Sequence, residues 1–473
     1  MTERTCVPFF ALLLLAACSS APEPAFTQAQ LFDSKTCQSC HVQHYSEWLS
    51  SRHAKASDDP VFLAMNRRGQ RETGGALGPF CVNCHAPMAV RTGATSDGLN
   101  LATVDTALKG VTCFFCHSVD EVQGAHDDPL HLAEDGVMRG PFSDPIASTP
   151  HGAAYSALHD RDRIESATLC GACHDVVTSH GADIERTFAE WKGSAFSKAP
   201  AGTTCSQCHM DQSLALEPIA NVQGAPKRRS HSHAFPAVDF DLEAPDAGGQ
   251  LALIQQFLDS TVQSAICVRT PPGGAPKAEV ILDNVASGHG FPSGSAQDRR
   301  FWVELHAYAD GGELYASGND GSSDAWLMRD CMFGVDGGQV SMFWDAASHS
   351  GNALPAQPTF DSADPRYYET HLAQTYPLGG GNLSAAPDRI TVALHLQPIG
   401  RDVLDDLVAS GDLDPSFAAS APELTVGEPL EWTPESATTT FVDPQTSAVV
   451  SCVTHTGLNV QAATVPAQAQ CTP

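Results

Sequence analysis

Beyond residue 270 the chain alternates apolar and polar positions over several short runs. Phe301, Val303, Leu305 and Ala307 share one parity of Arg299–Ala309, and Ile390, Val392, Leu394 and Leu396 one parity of Arg389–Pro398. Successive side chains of a strand point to opposite faces, so this period predicts half-buried strands. Lys277–Val285 and Glu313–Ser317 read as strands as well, and the Asp310-Gly311-Gly312 step between two of them as a hairpin turn. Just upstream, residues 250–265 (LALIQQFLDSTVQSAI) carry apolar positions at helical spacing, which predicts a connecting helix over 250–266. Residues 34–249 differ from both. Gly, Pro, Asp and Ser clusters separate short helical stretches such as Tyr45–His53 and Thr187–Ala195, and no long apolar run supplies a core. The expectation is an α+β chain: short helices and much coil first, then a mostly-β, sandwich-like region over 267–473.

What could fill a core in the first half is indicated by the cysteines. Ten of the 16 fall into five copies of C-x-x-C-H: Cys37-Cys40-His41, Cys81-Cys84-His85, Cys113-Cys116-His117, Cys170-Cys173-His174 and Cys205-Cys208-His209. With 16 Cys and 20 His in 473 residues, chance supplies about 0.02 copies of this pattern. Two thiols on one helical turn can add to the two vinyl groups of a haem, and the following His then reaches the iron as its proximal ligand. Zinc sites pair two C-x-x-C units or add separated His ligands, and five units do not pair evenly. A thiol redox site needs a single C-x-x-C. The reading is five covalently attached haem c groups, whose apolar bodies take the place of Leu and Val.

The N-terminus bears on location. Val7 to Ala17 is an apolar run too short to span a bilayer and reads as the core of a secretory signal. It ends in Leu15-Ala16-Ala17-Cys18, which resembles a bacterial lipoprotein cleavage site, making residues 1–17 a signal peptide and Cys18 the lipidated residue; the alternative is an ordinary signal peptide cut near Ala21. Residues 18–33 then form a tether. Export agrees with haem attachment, and Ser19 after the Cys points to the outer membrane or cell surface. A net charge of −29 excludes a nucleic-acid binder and asks for redox partners with basic docking faces. Membrane contact comes through the lipid anchor, and assembly with other cytochromes is left open.

The second axial ligand decides between a closed electron-transfer haem and one that binds small molecules. Met88 and Met210 lie too close to their own motifs to reach back to the same iron, which favours His. The segments around the motifs carry a resemblance. Cys-Gln-Ser-Cys-His with Tyr45, Trp48 and Ser51-Arg52-His53-Ala54 is one. Gly110 to His117, and Gly140-Pro141-Phe142 with His151 and Leu169 to Asp175, are others. Thr187, Glu190-Trp191, Ser194, His209-Met210 and His233-Ala234-Phe235-Pro236 complete the set. Together they resemble the multihaem cytochromes related to the tetrahaem carrier that accepts electrons from hydroxylamine oxidoreductase. Gly288-His289-Gly290-Phe291-Pro292-Ser293-Gly294 resembles a motif opening the β-domain of such proteins. The resemblance implies electron transfer through stacked haems, with His53, His151 and His233 as distal ligands; His289, in its Gly-flanked turn, is a fourth candidate ligand or equally a hydrogen-bonded turn residue. The fifth distal ligand stays open among His44, His126, His131 and His180, with His231 a substitute for His233.

The remaining residues have plainer readings. Cys267, Cys331, Cys452 and Cys471 suggest two disulfides in an exported protein, taken here as Cys452–Cys471 and Cys267–Cys331. His306 and His395 fall on polar strand faces and read as solvated, and His349, His371 and His455 as loop residues. Trp48 and Trp191 read as packing against porphyrin. The function expected is an electron carrier rather than an enzyme. The alternative is a multihaem oxidoreductase acting on a small nitrogen or sulfur compound at one open haem.

Overall fold

A computed structural model describes residues 26–146, 150–210, 216–244, 249–319, 325–378, 386–455, 457–462 and 464–467. The signal, Cys18 and Cys471 lie outside these residues. The fold is α+β. Its C-terminal part packs two six-stranded sheets face to face. One sheet runs in the order Thr439–Val442, Val449–Thr454, Val262–Thr270, Lys277–Asn284, Leu372–Pro377, Val465–Pro466. The other is centred on Arg300–Ala309 and Arg389–Gln397, flanked by Gly312–Ser317 and Leu424–Thr425, with Trp326–Met328 and Leu430–Trp432 adding short pairings.

The alternating residues lie where their parity requires. Phe301, Val303, Leu305, Ala307, Ile390, Val392, Leu394 and Leu396 meet Ile266, Val268, Val280 and Leu282 of the opposing sheet in one buried cluster. Ala309 pairs with Gly312, and the two turn residues Asp310 (φ 51°) and Gly311 (φ 76°) both have positive φ. That is the mirror-image turn that matches strand twist in a two-residue hairpin.

Three features differ from the sequence expectation. The helix over 250–266 stops early, at Gln250–Thr261, and Val262 opens a strand. That strand is central and buried on both faces, so its residues show no alternation to read. Tyr45–His53 is two helices, Val42–Ser50 and Arg52–Lys55, because Ser51 is extended (ψ 160°) and its hydroxyl caps the second. The disulfide pairing is also corrected. Cys267 pairs with Cys452, directly opposite it across two neighbouring strands, with Cα atoms 4.1 Å apart. Cys331 is disulfide-bonded as well.

The first half holds short helices and two-stranded ribbons around a cavity, and it is tied to the C-terminal part by ion pairs. Arg68 meets Asp406 at 2.8 Å and Arg71 meets Asp412 at 2.6 Å, from helix Pro60–Glu72. Arg299 grips Asp239 through two nitrogens at 2.8 and 2.9 Å. Among the described residues no helix is long and apolar enough to cross a membrane.

Candidate haem sites

Each attachment motif lies on or beside a helical turn, where positions i and i+3 share a face. Thr112 caps Cys113–Ser118 through the Phe115 N–H. Thr204 caps Cys205–His209 in a reciprocal box with Gln207. The caps fix the start of the turn at the first Cys, so both thiols and the His project together. All five motifs open onto one cavity of about 1330 Å³, lined by the ten thiols, the five motif imidazoles and His53, His151, His233 and His289.

The five motif histidines each engage Nδ1, which leaves Nε2 free to ligate. His41 donates to the Ile219 carbonyl (2.8 Å), His85 to Ala56 (3.0 Å), His117 to Arg139 (2.5 Å) and His209 to Pro236 (2.7 Å). His174 donates instead to the Glu185 carboxylate at 2.9 Å. Three of the expected distal residues repeat the pattern through local carbonyls: His151 to Gly152, His233 to His231 and His289 to Gly290. Burial holds most of these rings neutral, lowering His53 to about 3 and His209 to about 4, and lowering His41, His85, His117 and His289 as well. At His174 burial also lowers the value, but the Glu185 carboxylate outweighs it and lifts the group to about 9.

The decisive geometry is between rings. His41 and His151 have centroids 6.3 Å apart, His174 and His53 6.3 Å, His117 and His233 6.2 Å, and His209 and His289 6.3 Å. Two metal–imidazole bonds of about 2.0–2.1 Å, each continued by roughly 1.1 Å from nitrogen to ring centre, give about 6.2–6.4 Å. All four pairs therefore fit one iron between two imidazoles, and the residues present fit haem c. His159 also faces His117, at 5.4 Å, but its Nε2 is bonded to the Cys116 carbonyl.

His85 stands apart. Among the described residues no imidazole takes this relation to it, and its ring stacks on Phe62 at 4.1 Å and 5°. The open candidates do not fill the role. His126 and His131 are exposed and paired with Asp127 and Asp120. His44 packs against His233 at 4.9 Å and His41 at 6.1 Å, nearly perpendicular to both. His180 is exposed, and His231 serves through its carbonyl.

Thiols of different motifs adjoin. Cys37 lies beside Cys113, Cys84 beside Cys173 and Cys170 beside Cys205. Cys116 packs in one cluster with Leu169 and Ala172. The fourth motif thus lies beside the second, third and fifth.

Other residues depart from their sequence readings. His306 and His395 are not simply solvated. They share the Glu304 carboxylate at 2.8 and 3.1 Å, with Glu313 and Glu423 on their far sides. His371 is buried, 3.6 Å from Asp283. Trp48 and Trp191 line the cavity and donate to the Val111 and Thr203 carbonyls. Glu185 and His159 were not legible as site residues, because only the fold brings them to the imidazoles.

Comparisons with known proteins bear on the family and the fold. Residues 36–118 match the model of the family described as cytochrome c554 and c-prime. No curated protein matches the chain. Among solved structures it is similar to a penta-heme cytochrome c552 from Thermochromatium tepidum, at 17% identity and a TM-score of 0.57, covering 86% of this chain and 99% of that one. At that identity the likeness is one of fold.

Proposed function

We propose that the chain binds five haem c groups, one at each C-x-x-C-H motif, and passes single electrons along them. The observation that carries this reading is the four imidazole pairs at 6.2–6.3 Å, each joining a motif His to a distant one. The family match and the penta-heme neighbour support multihaem electron transfer and haem c. Bound haem iron supplies the one-electron couple. The chain's part is to anchor each group through two sulfurs, close both iron faces with imidazole at four of the five, and hold neighbouring groups near one another. The adjoining thiols support a continuous array: first motif beside third, third beside fourth, and the second and fifth both beside the fourth. The signal-like N-terminus and Cys18 support an exported protein anchored by lipid in the cell envelope. The excess of acidic residues favours basic redox partners.

One observation favours a second role at one position. Among the described residues no imidazole lies opposite His85, so this site could take a small exogenous ligand, such as a nitrogen or sulfur compound. The test is low-temperature electron paramagnetic resonance of the oxidised holoprotein, with spins counted against total haem. Five haems per chain, four low-spin and one high-spin that shifts on adding nitric oxide or hydroxylamine, is the expected result. Fewer than five attached haems would overturn the count. Five unresponsive low-spin haems would remove the second role.

A further inference from the structure

Four motif histidines donate Nδ1–H to a peptide carbonyl, and His174 alone donates to a carboxylate, Glu185 Oε1 at 2.9 Å. The contact is built by the local fold. Just after the motif, Val176–Val177 pairs antiparallel with Asp183–Glu185, matching Val176 to Glu185, so the ribbon returns the carboxylate beside the imidazole it follows. Nearby cations are engaged elsewhere. Arg186 is turned to Asp175 and Asp183. Arg299 is taken up by Asp239 and by the Ser293 and Pro398 carbonyls.

A full negative charge draws the Nδ1 hydrogen more strongly than a carbonyl does, and it makes the ring a stronger electron donor at Nε2. We propose that Glu185 is a positioning residue that lowers the reduction potential of the haem held by His174. It does so by giving that imidazole partial imidazolate character, which favours ferric over ferrous iron. This inference rests on the reading that His174 ligates a haem iron. Because the fourth motif adjoins three others, the effect falls at the junction of the array.

The experiment compares holoprotein wild type, Glu185→Gln and Glu185→Asp by spectroelectrochemical titration, after peptide mass analysis of haem attachment at Cys170 and Cys173. In Glu185→Gln one of the five reduction steps should move to higher potential while the other four stay. Glu185→Asp should return that step toward its wild-type position. If the fourth motif carries its haem and Glu185→Gln leaves all five steps in place, the inference is overturned. If wild type carries no haem there, the underlying reading fails instead. Near-infrared magnetic circular dichroism of the wild type tests the idea without a variant. One low-spin charge-transfer band should be displaced toward the imidazolate position, and identical bands for all bis-His haems would overturn it.

Discussion

Glu190, on the Thr187–Gly193 helix, accepts the backbone N–H of Gly290 at 2.9 Å. Its carboxylate also takes the Ser293 hydroxyl at 2.7 Å. The first half of the chain thereby grips the loop that carries His289 into position opposite His209. Glu190→Ala removes both bonds and leaves a buried N–H unpaired, at a cost of about 2–4 kcal/mol. On the proposed ligation, part of the His209 haem should turn high-spin in the variant. Spin quantification by electron paramagnetic resonance checks this, and an unchanged low-spin count would argue against it.

Gly110 makes the corresponding provision for His53. Its φ is +66°, and a Cβ there would meet the carbonyl oxygens of His53 and Ala54, each at 2.7 Å. The next residue, Val111, donates its N–H to the His53 carbonyl at 2.8 Å. Gly110→Ala must push the His53 peptide away in addition to straining its own backbone, which alone costs about 1–2 kcal/mol. The expected outcome is a haem between His174 and His53 that binds carbon monoxide when reduced, as wild type should not at this site. Optical titration with the gas follows it.

The Cys267–Cys452 bridge closes a loop of 185 residues between adjacent strands. Chain-entropy reasoning assigns such a loop about 5 kcal/mol. Cys267→Ala with Cys452→Ala should lower the melting temperature of the β-region sharply. The haem absorption of the freshly purified protein should be unchanged. Calorimetry beside Soret-band melting separates the two halves.

Asp298 predicts a pH dependence. Burial pushes its carboxyl up to about 6 from 3.8, more than Arg329 and Gln297 pull it down. A carboxyl raised in the folded state costs stability when ionised, so the cost is full above pH 6 and vanishes below its unfolded value. Asp298→Asn should therefore stabilise the protein by roughly 3 kcal/mol at pH 8 and hardly at all at pH 4. Thermal melts at the two pH values would show it, and an equal effect at both would refute it.

Legibility in the sequence followed the range of the interactions. The strands Arg300–Ala309 and Arg389–Gln397 were readable because each has one buried face, so burial writes an alternating pattern. Val262–Thr270 was hidden because both its faces are covered. The five attachment motifs were readable because their chemistry needs two sulfurs and an imidazole on one turn. His53, His151, His233 and His289 came forward through resemblance. Which motif each one faces, and that His85 faces none of them, depended on how distant loops close around one cavity.

The amino-acid sequence by itself determined the five C-x-x-C-H motifs at which, on the proposed reading, cofactors attach, because covalent attachment is a local, short-spaced requirement. It also determined the strand parity of the C-terminal region and the charge of the surface. Only the tertiary structure decided the imidazole pairs, the Cys267–Cys452 bridge and the carboxylate beside His174. Each of these is a meeting of residues far apart in the chain or returned by a turn. No local period records such a meeting, because it is set by the packing of the whole fold.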